Sequence, residues 1–156
     1  MGNERGLSTL LAGRATLAEC ALPCGFVKGM EVLTSGPLPP NPAELLGSPA
    51  MRALLAEAAG KYDRVVIDSP PIVTVTDPCI LAPLVDAVLL VIAHGSTSAR
   101  LIRRAREAMD AVGARVSGAV VNNAAPRRGF YGDPYYGYDY RYGYSAAVEG
   151  GNGQKN

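Results

Sequence analysis

Three runs of consecutive apolar residues, separated by segments of helical character, constrain the fold of this chain more than any other feature. They lie within residues 64–68, 85–93 and 116–122 and are rich in β-branched side chains. Runs without polar alternation are typical of strands buried on both faces of a parallel sheet. An apolar stripe predicts a helix over residues 97–112, and a shorter helix is predicted to begin at Asp77. Because strands and helices alternate with short connections, the sequence predicts an α/β fold on a parallel sheet with right-handed crossovers.

The region before the first run carries further signals for secondary structure. A short strand is predicted over Met30–Thr34. Asn41 is placed to cap a helix, and Glu44 is placed to reach back to it as in a capping box. Another helix is predicted to begin after Ser48 and to end at Gly60, because Ser-Pro and Gly are frequent at those two ends. The apolar face of that helix is formed by Met51, Leu54, Leu55 and Ala58.

Composition divides the chain of 156 residues into three zones. Residues 1–29 are short apolar pieces, with one or two helical turns predicted over Gly6–Gly13. Residues 30–123 hold the alternating strands and helices, whereas residues 124–156 are rich in Gly, Tyr and Asn and have almost no aliphatic side chains. Such a segment cannot form a core, so it is predicted to be disordered. The predicted organisation is an α/β domain over 1–123 and a flexible tail over 124–156.

Charge and cysteine content exclude several classes of protein. The formal net charge is +1, which gives no support for binding nucleic acid or a membrane surface through bulk charge. The longest apolar stretch, Ala87–Ala93, is far shorter than the roughly 20 residues that cross a bilayer. A zinc site formed by Cys20, Cys24, Cys79 and His94 is disfavoured because the paired spacings of such sites are absent. We expect three reduced structural thiols in a cytoplasmic protein.

Two polar residues stand where predicted strands end. Asp68 follows the run Val65–Ile67, and Asn122 follows the strand predicted from Val116. Ligands of open parallel sheets bind at the carboxyl ends of the strands. An aspartate at that place, followed by residues that cannot continue the ladder, has the Walker B arrangement, in which the carboxylate holds magnesium near the phosphates of a nucleotide. The alternative is an aspartate that caps the turn after the strand, and the motif alone leaves both open.

A longer series of motifs distinguishes these alternatives. Its parts are Leu33–Gly36, Pro39–Leu46, Tyr62–Pro71, Thr76–Asp77, Asp86–Val91, Gly95 with Thr97, Gly118–Asn122 and the tyrosine-rich tail. In this order they resemble the bacterial tyrosine kinases of capsule and exopolysaccharide synthesis, which are relatives of the deviant Walker ATPases. The resemblance covers almost the whole chain, and the ordered series is more specific than any single motif.

The resemblance implies a partial doubly wound sheet of the P-loop NTPase type and roles for individual residues. Asp68 matches the Walker B aspartate, and the resemblance implies that it acts on magnesium through a water molecule. Asn122 matches an asparagine near the adenine of ATP, and Asp77 matches an aspartate shortly after the Walker B strand, where it could equally cap the helix that Pro78 begins. The implied partners are further kinase subunits and a membrane-anchored polysaccharide co-polymerase that activates the kinase. The implied location is the cytoplasmic face of the cell membrane.

The sequence departs from the family in one large respect. No G-x-x-x-x-G-K-[ST] motif occurs in it, so no phosphate-binding loop and lysine are present, and the second aspartate motif expected ahead of Gly6 is missing as well. The chain therefore resembles the C-terminal part of the kinase domain, and we expect no catalysis by it alone. Since the missing strand is central in such sheets, we also expect uncovered apolar strand surface.

The tail carries a cluster of tyrosines interleaved with glycine, formed by Tyr131, Tyr135, Tyr136, Tyr138, Tyr140, Tyr142 and Tyr144. The resemblance implies autophosphorylation of these residues between subunits. The alternatives are self-association through aromatic contacts and nucleic-acid stacking helped by Arg127, Arg128 and Arg141, although no nucleic-acid partner is expected.

Two further features and the function as a whole leave alternatives open. Arg100, Arg103, Arg104 and Arg106 either form a solvated helix face or meet phosphates or a neighbouring subunit. His94 is interpreted as structural. The leading hypothesis is the C-terminal portion of a tyrosine autokinase, and the alternative is a non-catalytic regulatory module that an intact kinase phosphorylates in trans. A relative of partition ATPases is a weaker third hypothesis, since the tyrosines have no evident use there.

Overall fold

The computed structural model describes residues 3–124 as a mixed helical and strand structure. The helices are α1 (Leu7–Leu11), α2 (Leu17–Cys20), α3 (Pro42–Leu46), α4 (Pro49–Lys61), α5 (Asp77–Leu81) and α6 (Ala99–Ala111), and a 3-10 turn over Ala82–Leu84 follows α5. The strands are β1 (Ala21–Pro23), β2 (Glu31–Leu33), β3 (Val88–Ala93) and β4 (Val116–Asn122). Within this part of the chain, no helix is both long and apolar enough to span a bilayer.

The two C-terminal strands confirm the predicted parallel pairing. β3 and β4 run parallel, with Leu90 opposite Ala119 and Ala93 opposite Asn122. Helix α6 connects them and begins after Ser98, whose hydroxyl accepts a hydrogen bond from the Leu101 amide at 3.4 Å. A helix between two parallel strands is the connection that this pairing requires.

The upstream strand pairs with a segment for which no strand was predicted. β2 lies within the predicted strand, but it pairs antiparallel with β1, from Ala21 opposite Leu33 to Pro23 opposite Glu31. The amide of Cys24 donates to the carbonyl of Met30 at 2.8 Å and closes the connection between the two strands. The sequence offered no strand signal for β1, because its three residues contain no β-branched side chain and end in proline. The described residues therefore contain two separate two-stranded sheets.

The prediction of a buried strand over residues 64–68 is wrong. This segment is assigned no strand, and Val65 and Val66 are 45% and 90% exposed. Its apolar run reflects a strand-forming tendency, but a strand exists only where a neighbour supplies hydrogen bonds, and no described segment pairs with it.

Burial of β3 and β4 on both faces is also a wrong prediction. Leu89 and Val91 of β3 are 62% and 70% exposed, while the residues that alternate with them are half-buried. In β4, Val120 and Val121 are exposed as well. Val120 and Val121 are consecutive and point to opposite faces, so within residues 3–124 neither face is covered at that end of β4. The uncovered apolar strand surface expected from the sequence is therefore confirmed.

The core consists of two clusters of apolar side chains. The first joins α1, α2, α4 and α5 through Leu11, Leu17, Met51, Leu54, Ala58 and Leu81. It confirms the predicted apolar face of α4, against which Leu55 also packs. The second cluster joins α6 to the 3-10 turn through Ala82, Met109 and Ala114. Met109 is the most deeply buried large side chain, at 1% exposure, which confirms the predicted stripe of α6.

The starts of α3 and α4 differ in how closely they follow the predicted caps. The Ser48 hydroxyl accepts from the Met51 amide at 3.3 Å, as a capping serine does. The Asn41 side chain makes no hydrogen bond to the backbone of α3. Its amide donates instead to the Glu44 carboxylate at 2.7 Å, so the predicted capping by Asn41 is wrong. α4 ends at Lys61, one residue beyond Gly60.

The start of α1 is fixed by close backbone contact with the segment after β2. The amides of Leu7 and Ser8 donate to the carbonyls of Thr34 and Ser35 at 2.8 and 2.9 Å. The Asn3 side chain donates to the Gly36 carbonyl at 2.9 Å and accepts from the Gly36 amide at 2.8 Å. These bonds satisfy amides at the helix start that have no partner within the helix. They hold residues 3–8 and 34–36 together as one unit.

The C-terminal end of α4 is attached to β2 by a small polar cluster. The Lys61 ammonium lies 3.0 Å from the Glu31 carboxylate, and the Tyr62 hydroxyl donates to the same carboxylate. The ammonium also lies 4.8 Å from the centre of the Tyr62 ring. The hydrogen bond from Tyr62, and next the one from Lys61, holds the pKa of Glu31 below its ordinary value of 4.5. The same cluster raises the pKa of Lys61.

Replacing Glu31 by glutamine is expected to destabilise the chain at neutral pH and to have little effect in acid. A carboxyl whose pKa is lowered in the folded state stabilises that state above its unfolded pKa, and this stabilisation is lost as the pH falls through the folded pKa. Urea unfolding of both proteins between pH 7 and pH 3 would measure the difference. Glu57→Gln, on the exposed side of α4, is the control; an equal loss in both variants, or a gap that persists at pH 3, would contradict the prediction.

Candidate functional site

Asp68 lies in a segment without helix or strand, between residues that pack on the two apolar clusters. Ile67, before it, packs against the first cluster, and Ile72, four residues after it, packs against the second. The Asp68 side chain is exposed and forms no ion pair with another residue of 3–124. The prolines at 70 and 71 have no amide to donate, so they cannot extend a ladder beyond it. The carboxylate is therefore accessible from solvent at the end of the apolar run.

Asp77 is the first residue of α5, and its side chain is half-buried. A turn precedes it, in which the Thr74 amide donates to the Pro71 carbonyl at 2.9 Å. The capping position belongs to Thr76, whose side chain makes no capping hydrogen bond. Asp77 therefore does not cap the helix, which was its alternative role, because it is itself the first helical residue.

Asn122 ends β4 beside the end of β3. The His94 amide donates to the Asn122 carbonyl at 2.8 Å, and the Asn122 side-chain oxygen accepts from the Asn123 amide at 2.9 Å. Asn123 itself has a φ of 58°, which lies in the left-handed region that asparagine tolerates better than most residues. The Asn122 side chain is exposed at this edge and shapes the turn that leaves the strand.

The turn after β3 forms the other half of the same edge. The Thr97 hydroxyl accepts from the Ala93 amide at 3.2 Å, and the Thr97 amide donates to the Ala93 carbonyl at 3.0 Å. Gly95 has a φ of 76°, which this turn requires and which glycine adopts without strain. Gly95 with Thr97 was identified in the sequence only as one motif of the resemblance, and this turn shows the structural role of Thr97. The His94 ring is exposed, and its backbone makes the contact with β4.

The structure brings some of the predicted site residues together and leaves others apart. Asn122 lies at the carboxyl end of β4, as predicted, and the turn after β3 lies at the same edge of the parallel pair. Asp68 and Asp77 lie on the connection between the two clusters, and no hydrogen bond or ion pair joins them to each other or to Asn122 within residues 3–124. The tyrosines Tyr131, Tyr135, Tyr136, Tyr138, Tyr140, Tyr142 and Tyr144 lie outside the described residues.

The acidic residues suit magnesium better than a metal held by the protein alone. Among residues 3–124 no three His, Cys, Asp or Glu side chains come together, and the three cysteines are free thiols. Magnesium is usually held by one or two carboxylates together with water and substrate phosphates. One exposed carboxylate, as Asp68 provides, fits that kind of site. The zinc site considered for the cysteines and His94 is not formed in this part of the chain.

Comparisons with known proteins identify a consistent set of relatives. No family model matches the chain. It is 40% identical over 136 residues to the tyrosine-protein kinase YwqD of Bacillus subtilis, covering 86% of this chain and 56% of that protein. It is 36% identical over 140 residues to the tyrosine-protein kinase wzc of Salmonella typhi, covering 89% of this chain and 19% of that protein.

A solved structure gives the same result for the fold. The kinase domain of the Escherichia coli tyrosine kinase ETK matches with a TM-score of 0.73 and 34% identity, covering 83% of this chain and 52% of that one. The resemblance stated from the sequence is thus confirmed over most of the chain. This chain spans only about half, or less, of the length of the relatives that it matches.

Proposed function

Because this chain is a homologue of the bacterial tyrosine kinases, we propose that it is the C-terminal portion of an ATP-dependent tyrosine autokinase that regulates exopolysaccharide or capsule synthesis and export. The observation that carries this proposal is Asp68, an exposed carboxylate without an ion pair in the described residues, placed after an apolar run and before two prolines. The relatives that share this stretch of chain are tyrosine kinases.

The proposed site combines residues of this chain with a phosphate-binding loop from outside it. Asp68 would hold magnesium through water, Asn122 would lie near the adenine of ATP, and Asp77 would support the magnesium site. No G-x-x-x-x-G-K-[ST] motif occurs in the 156 residues, so the lysine and backbone amides that bind phosphates must come from other polypeptide. That polypeptide would also supply a strand beside residues 64–68 and complete a doubly wound sheet. Magnesium bound there would neutralise charge on the phosphates of ATP.

The proposed phosphoacceptors are the tail tyrosines Tyr131, Tyr135, Tyr136, Tyr138, Tyr140, Tyr142 and Tyr144. Glycines between them and the lack of aliphatic residues suit a segment that must enter an active site in an extended form. We propose residues 124–156 as a separate tail on the domain of residues 1–123. Phosphorylation would add about −1.5 to −2 charges for each tyrosine, which is enough to change how subunits associate.

The proposed partners are other subunits of the kinase and a membrane-anchored polysaccharide co-polymerase that activates it. This places the chain at the cytoplasmic face of the membrane through that partner or through polypeptide outside these 156 residues. The exposed apolar side chains of β3 and of residues 65–66 support a partner of some kind, since exposed apolar surface can mark an interaction site.

The second candidate function is a non-catalytic regulatory module that an intact kinase phosphorylates in trans. The same absence of a phosphate-binding motif favours it, because Asp68 alone cannot bind and orient ATP. Both functions use the tail tyrosines as phosphoacceptors, and they differ in whether this polypeptide itself carries the phosphate-binding loop.

Intact-mass and phosphopeptide mass spectrometry on the protein from its native cells tests the proposal. Phosphate on residues 131–144 of a polypeptide that also yields peptides upstream of Met1, with a phosphate-binding loop among them, is the result expected of an autokinase. Phosphate on a polypeptide that begins at Met1 would favour the second function. Absence of phosphate during active polysaccharide synthesis would overturn both.

A further inference from the structure

Helix α6 presents a row of arginines on the side away from the core. Arg100, Arg103 and Arg104 are exposed, whereas Met109 is buried in the second cluster. Residues three and four positions apart are neighbours on a helix surface, with Cβ atoms about 5–6 Å apart. The three guanidinium groups therefore occupy one patch, which we call the arginine face.

The charge of the arginine face is not neutralised by ion pairs in the described part of the chain. The ion pairs between residues 3 and 124 are Lys61 with Glu31, and Arg106 with Asp110 on the same helix. Glu107, on the following turn, is exposed and lies beyond ion-pair distance of Arg103 and Arg104. Three adjacent cations without a paired carboxylate form a surface that an anion can bind. Guanidinium groups bind phosphate with two parallel hydrogen bonds, which makes arginine well suited to such a ligand.

The tail sequence supplies an anion of matching charge and spacing. Before modification, Tyr131–Tyr144 contains Asp133, Asp139 and Arg141, a net charge of −1. Each phosphate adds about −1.5 to −2 charges, so the attraction to the arginine face arises almost entirely on phosphorylation. Five of the tyrosines follow one another at intervals of two residues: Tyr136, Tyr138, Tyr140, Tyr142 and Tyr144. In an extended segment this spacing is about 6.5 Å, close to that of the arginines.

We propose that the arginine face binds the tyrosine-phosphorylated Tyr131–Tyr144 segment of a second copy of this chain. The inference rests on the proposed function for the origin of the phosphates. A second copy is the occupant because an autokinase whose tail enters a neighbour's active site already brings tails and bodies of different copies together. A nucleic acid is the competing polyanion; α6 carries no aromatic side chain on which bases could stack, so the phosphopeptide is favoured.

Fluorescence anisotropy with a labelled synthetic peptide of residues 131–144 tests the binding. The protein is the unphosphorylated 156-residue chain, and the peptide carries phosphotyrosine at 138, 140 and 142. We expect Arg100→Gln, Arg103→Gln and Arg104→Gln together to weaken binding at least about tenfold, as the loss of several charge-assisted hydrogen bonds implies. The matched control, with Arg52, Arg64 and Arg115 replaced by glutamine, removes the same charge from exposed sites elsewhere and is expected to bind nearly as the parent does.

Several outcomes would overturn the inference. They are equal weakening in both triple variants, equal binding of the unphosphorylated peptide, and tighter binding of single-stranded DNA of similar length. Because the peptide is synthetic, each of these would leave the proposed phosphorylation in cells untouched. Light scattering on chains carrying a ligated phosphorylated tail completes the test: a mass that rises with protein concentration supports a second copy, and a constant monomer mass overturns that assignment.

Discussion

Replacing Asp68 by asparagine in the complete kinase is expected to lower the rate of tail phosphorylation by about 100-fold or more. Asparagine keeps the size of the side chain but removes the charge that would hold magnesium. The metal is worth several kcal/mol of transition-state stabilisation in phosphoryl transfer, and each 1.36 kcal/mol is a factor of ten in rate. The rate would be followed with ATP and magnesium in the complete kinase, with the phosphate-binding loop present. Raising the magnesium concentration should restore part of the lost rate.

The fold should not change in this variant, since Asp68 is exposed and forms no ion pair within the described residues. Substitutions at such positions usually alter the free energy of unfolding by less than about 0.5 kcal/mol. Asp63→Asn is the matched control, because Asp63 is an exposed aspartate five residues earlier with no proposed role. An unchanged rate in Asp68→Asn would remove Asp68 from the catalytic site. An equal loss of rate in both would show that the charge of the segment, rather than Asp68, matters.

Replacing Gly6 by alanine is expected to destabilise the chain by about 3 kcal/mol, the upper part of the range for overpacked sites. A Cβ atom at Gly6 would lie 2.4 Å from both the Gly36 nitrogen and the Thr34 oxygen. These are backbone atoms, so no side-chain rotation can relieve the clash. The backbone of residues 34–36 would have to move away and lengthen the hydrogen bonds that hold α1. Thermal unfolding should show a melting temperature lower by roughly 6–12 °C.

Gly60→Ala provides a control of opposite sign. Gly60 lies near the end of α4, and a Cβ atom there would have nothing within 4 Å. Alanine is the better helix former, so the control should be unchanged or more stable by about 0.5 kcal/mol. If Gly6→Ala unfolds at the same temperature as the parent chain, the contact between residues 3–8 and 34–36 does not contribute to stability as described.

Local signals explain which elements the sequence could predict. α4, α6 and β4 were predicted because a capping serine, an apolar stripe and a β-branched run are each contained within the element itself. The strand over residues 64–68 was not formed because pairing depends on a neighbour that the sequence of the segment does not contain. β1 was missed for the converse reason, since β2 supplies its hydrogen bonds.

In the candidate site, too, local features could be predicted and features that depend on distant contacts could not. The chemistry of Asp68 could be predicted, since an aspartate after an apolar run and before two prolines is a local pattern. The shared edge of Asn122 and the turn after β3 could be predicted as well, because it follows from parallel pairing. Within residues 3–124, no hydrogen bond or ion pair joins Asp68 or Asp77 to that edge. This could not be predicted, since it depends on the path of residues 69–76 between the two clusters. The hydrogen bond from the Ala93 amide to Thr97 also needed coordinates.

Helix α5 and the 3-10 turn after it contribute side chains to both apolar clusters. Leu81 belongs to the first cluster and Ala82, the next residue, to the second, while Cys79 packs on the second and Leu84 on the first. A displacement of this short segment therefore strains both clusters together. Asp77 is the first residue of this segment. A ligand that displaced Asp77 would therefore change the side-chain packing around both Met51 and Met109. The segment that connects the packing of the two clusters thus also contains one of the candidate site residues.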